Sequence, residues 1–129
     1  MNVSTKDTKM PIERRNPGKR LSEAVVFTPG GERTVYLAGQ VADDRDADMA
    51  TQTKQVLASI DRLLADVGSD KSRLLSATIY LPDMADFPTL NAIWEQWVLA
   101  GQTPARATVQ AALAHPAYKV EIQVIATAP

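Results

Sequence analysis

The chain has no cysteine among its 129 residues and a single histidine, His115. The first absence removes disulfides, thiolate nucleophiles and thiolate metal sites, and it agrees with a cytoplasmic location. The second leaves any histidine-based triad or multi-histidine metal centre without its members, so His115 reads as a loop residue. Neither sign of charge dominates: 14 basic residues face 15 acidic ones, with a formal net charge of -1 and no long run of either. The electrostatic footprint that phosphate backbones require is missing, and nucleic acid is not the expected partner. No segment approaches the ~20 apolar residues of a membrane span, and the polar first residues lack the apolar stretch of a secretory signal. A membrane is not expected as a partner either. The expectation is a disordered N-terminal segment over residues 1–10, followed by a single domain over 11–129 with enough chain to bury a core without disulfide or metal.

What is present is periodic. From Asp48 to Val67 the apolar residues Met49, Val56, Leu57, Ile60, Leu63, Leu64 and Val67 recur at helical spacing, and Gly68 stands where a C-terminal cap belongs. A second amphipathic helix is expected near Phe87, with Leu90, Ile93, Trp94 and Trp97 on its buried stripe and Pro88 in its first turn. The two tryptophans on that stripe read as core contacts rather than a stacking platform. Short β-forming runs occupy 11–15, 24–27, 34–37 and 74–81, the second and third joined through Thr28-Pro29-Gly30-Gly31-Glu32 as a hairpin. Asn16-Pro17-Gly18 reads as a turn. Two more strands, Arg106 to Leu113 and Tyr118 to Thr127, are expected as a terminal hairpin around His115 and Pro116. The order predicts an α+β protein: a mixed sheet with both helices on one face. In the last strand Val120, Ile122, Val124 and Ala126 would meet the helices, leaving Glu121 with Arg106, Thr108 and Gln110 on a mostly polar face.

Asp44-Arg45-Asp46-Ala47-Asp48 imitates the start of a calcium loop, but Met49 replaces the required glycine and Gln55 the closing glutamate. Acidic residues ahead of a helix are better read as meeting its positive end. The residues with chemistry to offer are Arg106, in Thr103-Pro104-Ala105-Arg106-Ala107-Thr108-Val109, and Glu121, in Val120-Glu121-Ile122. A guanidinium presents a planar fork of donors to a carboxylate, and a glutamate accepts a proton or orients a water. In the expected hairpin Glu121 lies opposite Gln110, roughly 14 Å from Arg106 at ~3.4 Å per residue. That is too far for one small ligand, so the two residues of one cleft are expected to come from different chains.

These two segments resemble the signature of the Rid family (RidA, or YjgF-like), as do Val35-Tyr36-Leu37-Ala38-Gly39-Gln40 and Phe87-Pro88-Thr89-Leu90-Asn91. The resemblance runs over roughly residues 12–126. It implies a chorismate-mutase-like homotrimeric barrel with ligand clefts between subunits, and hydrolytic deamination of reactive 2-imino acids (enamine/imine tautomers) to 2-oxo acids and ammonia. It implies further that Arg106 binds the substrate carboxylate, Glu121 positions the attacking water, and Gly39, Thr108 and Asn91 line the cleft. No cofactor or metal is implied. The chain departs from the best-studied members where Leu21 stands in place of a common tyrosine, Ala38 in place of a serine and Thr108 in place of a frequent cysteine. Those departures mark a subgroup. They also leave an alternative from another class: a noncatalytic module that binds a small carboxylate, such as a 2-oxo acid, in the same cleft.

Overall fold

The computed structural model describes residues 12–17, 19 and 22–129. The expectations placed on residues 1–10 and on Leu21 lie outside the described residues. The strands are β1 (Ile12–Pro17), β2 (Ser22–Phe27), β3 (Arg33–Leu37), β4 (Leu74–Leu81), β5 (Ala105–Gln110) and β6 (Glu121–Ala128), with helices α1 (Met49–Asp66) and α2 (Phe87–Trp97). They form one six-stranded mixed sheet in the order β1-β2-β3-β6-β4-β5.

The local signals explain where the helices begin and end. Asp48 caps α1, its side chain accepting from the Thr51 backbone N–H at 2.8 Å, which satisfies a donor that the first turn cannot. Gly68 follows at φ +77°, a left-handed conformation that glycine enters at little cost. All seven stripe residues of α1, from Met49 to Val67, are buried. Pro88 sits in the first turn of α2, where its missing N–H has no partner to lose. Short 3-10 turns at Lys71–Arg73 and Met84–Asp86 lead into β4 and α2, each opened by an aspartate, Asp70 and Asp83, that caps it.

Both helices cover one face of the sheet. Val35, Leu37, Ile79, Leu81, Ile122 and Val124 rise from that face to meet Val56, Ile60, Leu64 and Leu90, all at most 1 % exposed. Burying one such side chain contributes about 2 kcal/mol, and the group supplies the main drive for folding. Among the described residues Gln52, Thr53, Ser59 and Ser69 are polar and buried, and Gln52 makes the most hydrogen bonds. Gln52 is fully buried, its Nε2 donating to the carbonyls of Arg45, Ala47 and Ala117 at 3.0–3.1 Å and its Oε1 accepting from the Lys119 N–H at 2.9 Å.

The C-terminal strands depart from the expected hairpin. β5 ends at Gln110 and β6 begins at Glu121, and β4 lies between them. β5 runs parallel to β4 through the α2 crossover, while β6 runs antiparallel to β4 on its other side. Helix α2 is long enough to return the chain for parallel pairing with β4, and β3 and β4 take both edges of β6, which leaves no place beside it for β5. Asn16 and Pro17 also belong to β1 rather than to a turn, although Asn16 has φ +50°.

Candidate functional site

Register decides which faces the candidate residues occupy. Arg106 pairs with Ala77, which in turn pairs with Val124, and both partners are buried beneath the helices. Thr108 pairs with Ile79, also buried. Arg106, Thr108 and, by alternation, Gln110 therefore stand on the helix-covered face, under α2, and not on the opposite face beside Glu121. The expectation of a shared polar face is corrected: β5 is in register with β4, and that register is set by burying Ala77 and Ile79. The uncovered face is polar along much of β6 and β4, through Glu121, Gln123, Thr127 and Thr78, but it also carries apolar and aromatic residues. Val25, Tyr36, Tyr80, Val109 and Ile125 share it, with Tyr36 41 % and Val109 40 % exposed.

Around Arg106 the structure brings together three residues of α2. Its Nη2 donates to Asn91 Oδ1 at 2.8 Å. The guanidinium carbon lies 5.6 Å from the Trp94 ring centroid and 5.9 Å from that of Phe87, within the range of cation–π attraction. Burial lowers the Arg106 pKa from its ordinary value, and the nearby negative charge of Glu95 opposes that shift. Asn91 takes one of the two Nη2 hydrogens, and each edge of the fork uses a different one, so one bidentate edge remains for a carboxylate. Two residues along β5, on the same face, the Thr108 hydroxyl oxygen is buried and has no hydrogen-bond partner among the described residues. A buried hydroxyl left so costs about 1–3 kcal/mol unless a ligand or another chain satisfies it.

Glu121 belongs to a second cluster. It pairs with Tyr80, on the face away from the helices, and Gly39 lies against it: a Cβ on Gly39 would stand 3.0 Å from the Glu121 carboxyl carbon. Only a residue without a side chain permits this approach. Gln40 follows Gly39 and exchanges both backbone hydrogen bonds with Ile122, at 2.8 and 3.1 Å, which holds the loop beside the start of β6. Burial pushes the Glu121 carboxyl above its ordinary range, making the carboxylate a stronger base.

The five residues singled out by sequence thus fall into two groups, Arg106 with Asn91 and Thr108, and Glu121 with Gly39. Tyr80 stands between Glu121 and Val109 across the sheet, and Val109 lies three residues beyond Arg106. Two strand spacings and three residues put their Cα atoms roughly 14 Å apart, and the side chains point to opposite faces, so the charged groups lie farther apart still. The expected separation rested on Glu121 lying opposite Gln110, and β4 stands between them instead. Asn91 bonds the arginine directly. Phe87 and Trp94, read from sequence only as an apolar stripe, belong to the Arg106 cluster; the signal was that 87, 91 and 94 share one helix face. Asp48 caps α1, and the His115 Nδ1 accepts from the Ala117 N–H in the loop before β6.

A six-stranded mixed sheet with two helices on one face is the architecture of a small α+β protein. Residues 13–128 match the family described as endoribonuclease L-PSP. A RutC family protein of Haemophilus influenzae is 46 % identical over 92 % of this chain and 99 % of its own length. A 2-iminobutanoate/2-iminopropanoate deaminase of Bos taurus is 34 % identical over 74 % of this chain and 73 % of its own. Among solved structures, a YjgF family member from Neisseria meningitidis superposes with a TM-score of 0.84 at 44 % identity, covering 93 % of this chain and 97 % of that one. The chain belongs to the Rid (YjgF-like) family.

Proposed function

We propose that this chain is a hydrolase of 2-imino acids, acting as a homotrimer with clefts between neighbouring copies. The observation that carries the reading is Arg106, held by Asn91 through one Nη2 hydrogen, beside a buried Thr108 hydroxyl that has no partner among the described residues. Together they offer a small carboxylate two donors and a neighbouring hydrogen bond. The 34 % identity to a mammalian imine deaminase supports the reaction class. Since Arg106 and Glu121 lie on opposite faces of one sheet, a second copy has to bring its Glu121 and Gly39 to the Arg106 cluster. The apolar residues on the uncovered face, Tyr36 and Val109 among them, are the surface such an assembly would bury.

In this reading Arg106 fixes the substrate carboxylate and Thr108 completes its hydrogen bonds. The carboxylate of Glu121, its basicity raised by burial, takes a proton from a water that adds to the imine carbon. The proton passes to nitrogen, the carbinolamine collapses, and ammonia leaves with a 2-oxo acid behind. The imine carbon is already electrophilic, so orientation and one activated water account for the acceleration.

A noncatalytic small-carboxylate module is the second reading, favoured by Ala38, which supplies no hydroxyl beside Gly39. Ammonia release from freshly generated 2-iminopropionate, measured against uncatalysed hydrolysis, separates the two. Acceleration that is lost in Arg106→Ala is the expected result. Mixing inactive Arg106→Ala and Glu121→Ala proteins should restore part of the activity through hybrid clefts. No acceleration by the folded parent would leave the binding module.

A further inference from the structure

We propose that Trp94, together with Phe87, is a positioning residue for Arg106, so that helix α2 sets how tightly a carboxylate is held. The inference rests on the reading of Arg106 as the carboxylate site and adds what fixes its side chain.

Arginine is a long, rotamer-rich side chain, and a carboxylate that binds it must order it. Here that ordering is built into the fold. Phe87, Asn91 and Trp94 project from one face of α2 at positions i, i+4 and i+7. Asn91 holds Nη2 at 2.8 Å, while the two rings stand 5.6 and 5.9 Å from the guanidinium carbon. The rings supply the attraction that water gives a free guanidinium, and they leave the hydrogen-bonding edge unoccupied. Trp94 is itself held. It is 5 % exposed and packs at 5.3 Å and 43° against Trp97. The Trp97 Nε1 donates to Asp61 of α1 at 3.0 Å, and the Lys71 ammonium lies 5.2 Å from its ring. The ring against Arg106 is thus tied to both helices.

A mount of this kind acts on binding and not on the chemical step. Phe87→Leu, Trp94→Leu and Trp94→Phe test it, with three readouts on the full chain: Kd for pyruvate as a nonreacting 2-oxo acid, the separate kcat and KM for 2-iminopropionate, and Tm. Phe87→Leu and Trp94→Leu should raise Kd and KM about 2- to 30-fold, with kcat within about twofold of the parent. Trp94→Phe, which keeps an aromatic face, should recover most of the affinity. A purely structural role predicts instead that Tm falls while pyruvate affinity of the folded protein is unchanged in all three, and that result overturns the proposal. If Trp94→Leu does not fold, Phe87→Leu decides the matter, because its site is only half-buried. The underlying reading fails separately: a parent that binds no pyruvate, or an Arg106→Ala protein that binds it equally well, removes the carboxylate site and this inference with it.

Discussion

Substituting Gly39 by alanine would place a methyl where the Glu121 side chain now lies. The new Cβ would stand 3.0 Å from the Glu121 carboxyl carbon and 3.3 Å from its Cγ, with one carboxyl oxygen nearer still. The obstacle is the far end of a flexible side chain, so the carboxylate yields before the backbone does. An off-rotamer glutamate costs about 0.5–1.5 kcal/mol. Gly39 has no positive φ, so alanine fits its backbone and restricts the unfolded chain, returning about 0.4–1 kcal/mol. The two effects nearly cancel, and urea unfolding should find stability within about 1 kcal/mol of the parent. Turnover should not survive so well. A catalytic group displaced by about 1 Å loses on the order of 100-fold in rate, which initial rates of ammonia release from 2-iminopropionate will register. In a Glu121→Ala background, Gly39→Ala should cost nothing further, since both act on the same carboxylate. Parent-like turnover in Gly39→Ala, or a stability loss above about 3 kcal/mol, would refute the reasoning.

Glu121→Gln tests the electrostatics. Burial raises the folded-state pKa of Glu121 above its ordinary value of 4.5, so the folded chain holds this proton more tightly than the unfolded one. The stability this contributes is fully present below about 4.5 and is lost as pH rises through the raised value. Relative to the parent, Glu121→Gln should therefore gain in Tm as pH climbs from about 4 to 7; a constant difference across that range would contradict the assignment. Gln52→Met keeps the volume but removes four hydrogen bonds to the loop after Gly39 and the loop before Glu121. With the part-buried carbonyls of Ala47 and Ala117 left short of a partner at about 1–3 kcal/mol each, denaturant unfolding should show a loss above about 2 kcal/mol, and a loss under about 1 kcal/mol would mean that water replaces the amide.

Helices were legible because their signals are local. The stripe from Met49 to Val67, the Gly68 stop and Pro88 in a first turn all lie within a few residues of the structure they specify. Gln52 escaped notice as a buried residue because a glutamine between Met49 and Val56, where Gln55 also stands, looks the same whether it faces water or three carbonyls. The Arg106 mount was half visible: Phe87, Asn91 and Trp94 share a helix face, but nothing in α2 names the strand residue beneath it. Arg106 and Glu121 were recognisable as residue types in characteristic surroundings. Their relation was not, because the terminal hairpin was the simplest reading of two nearby strands.

From the sequence by itself came the element types, the apolar faces of both helices and of the last strand, the family and the residues able to carry chemistry, since all of these depend on neighbours within a turn or along one strand. Tertiary structure alone decided that β4 lies between β5 and β6, that Arg106 and Thr108 lie beneath α2, and that Glu121 faces the other way against Gly39. The physical reason is that alternation along a strand specifies two faces without saying which one a neighbouring strand will share. Only pairing settles that, through the apolar area each possible register buries.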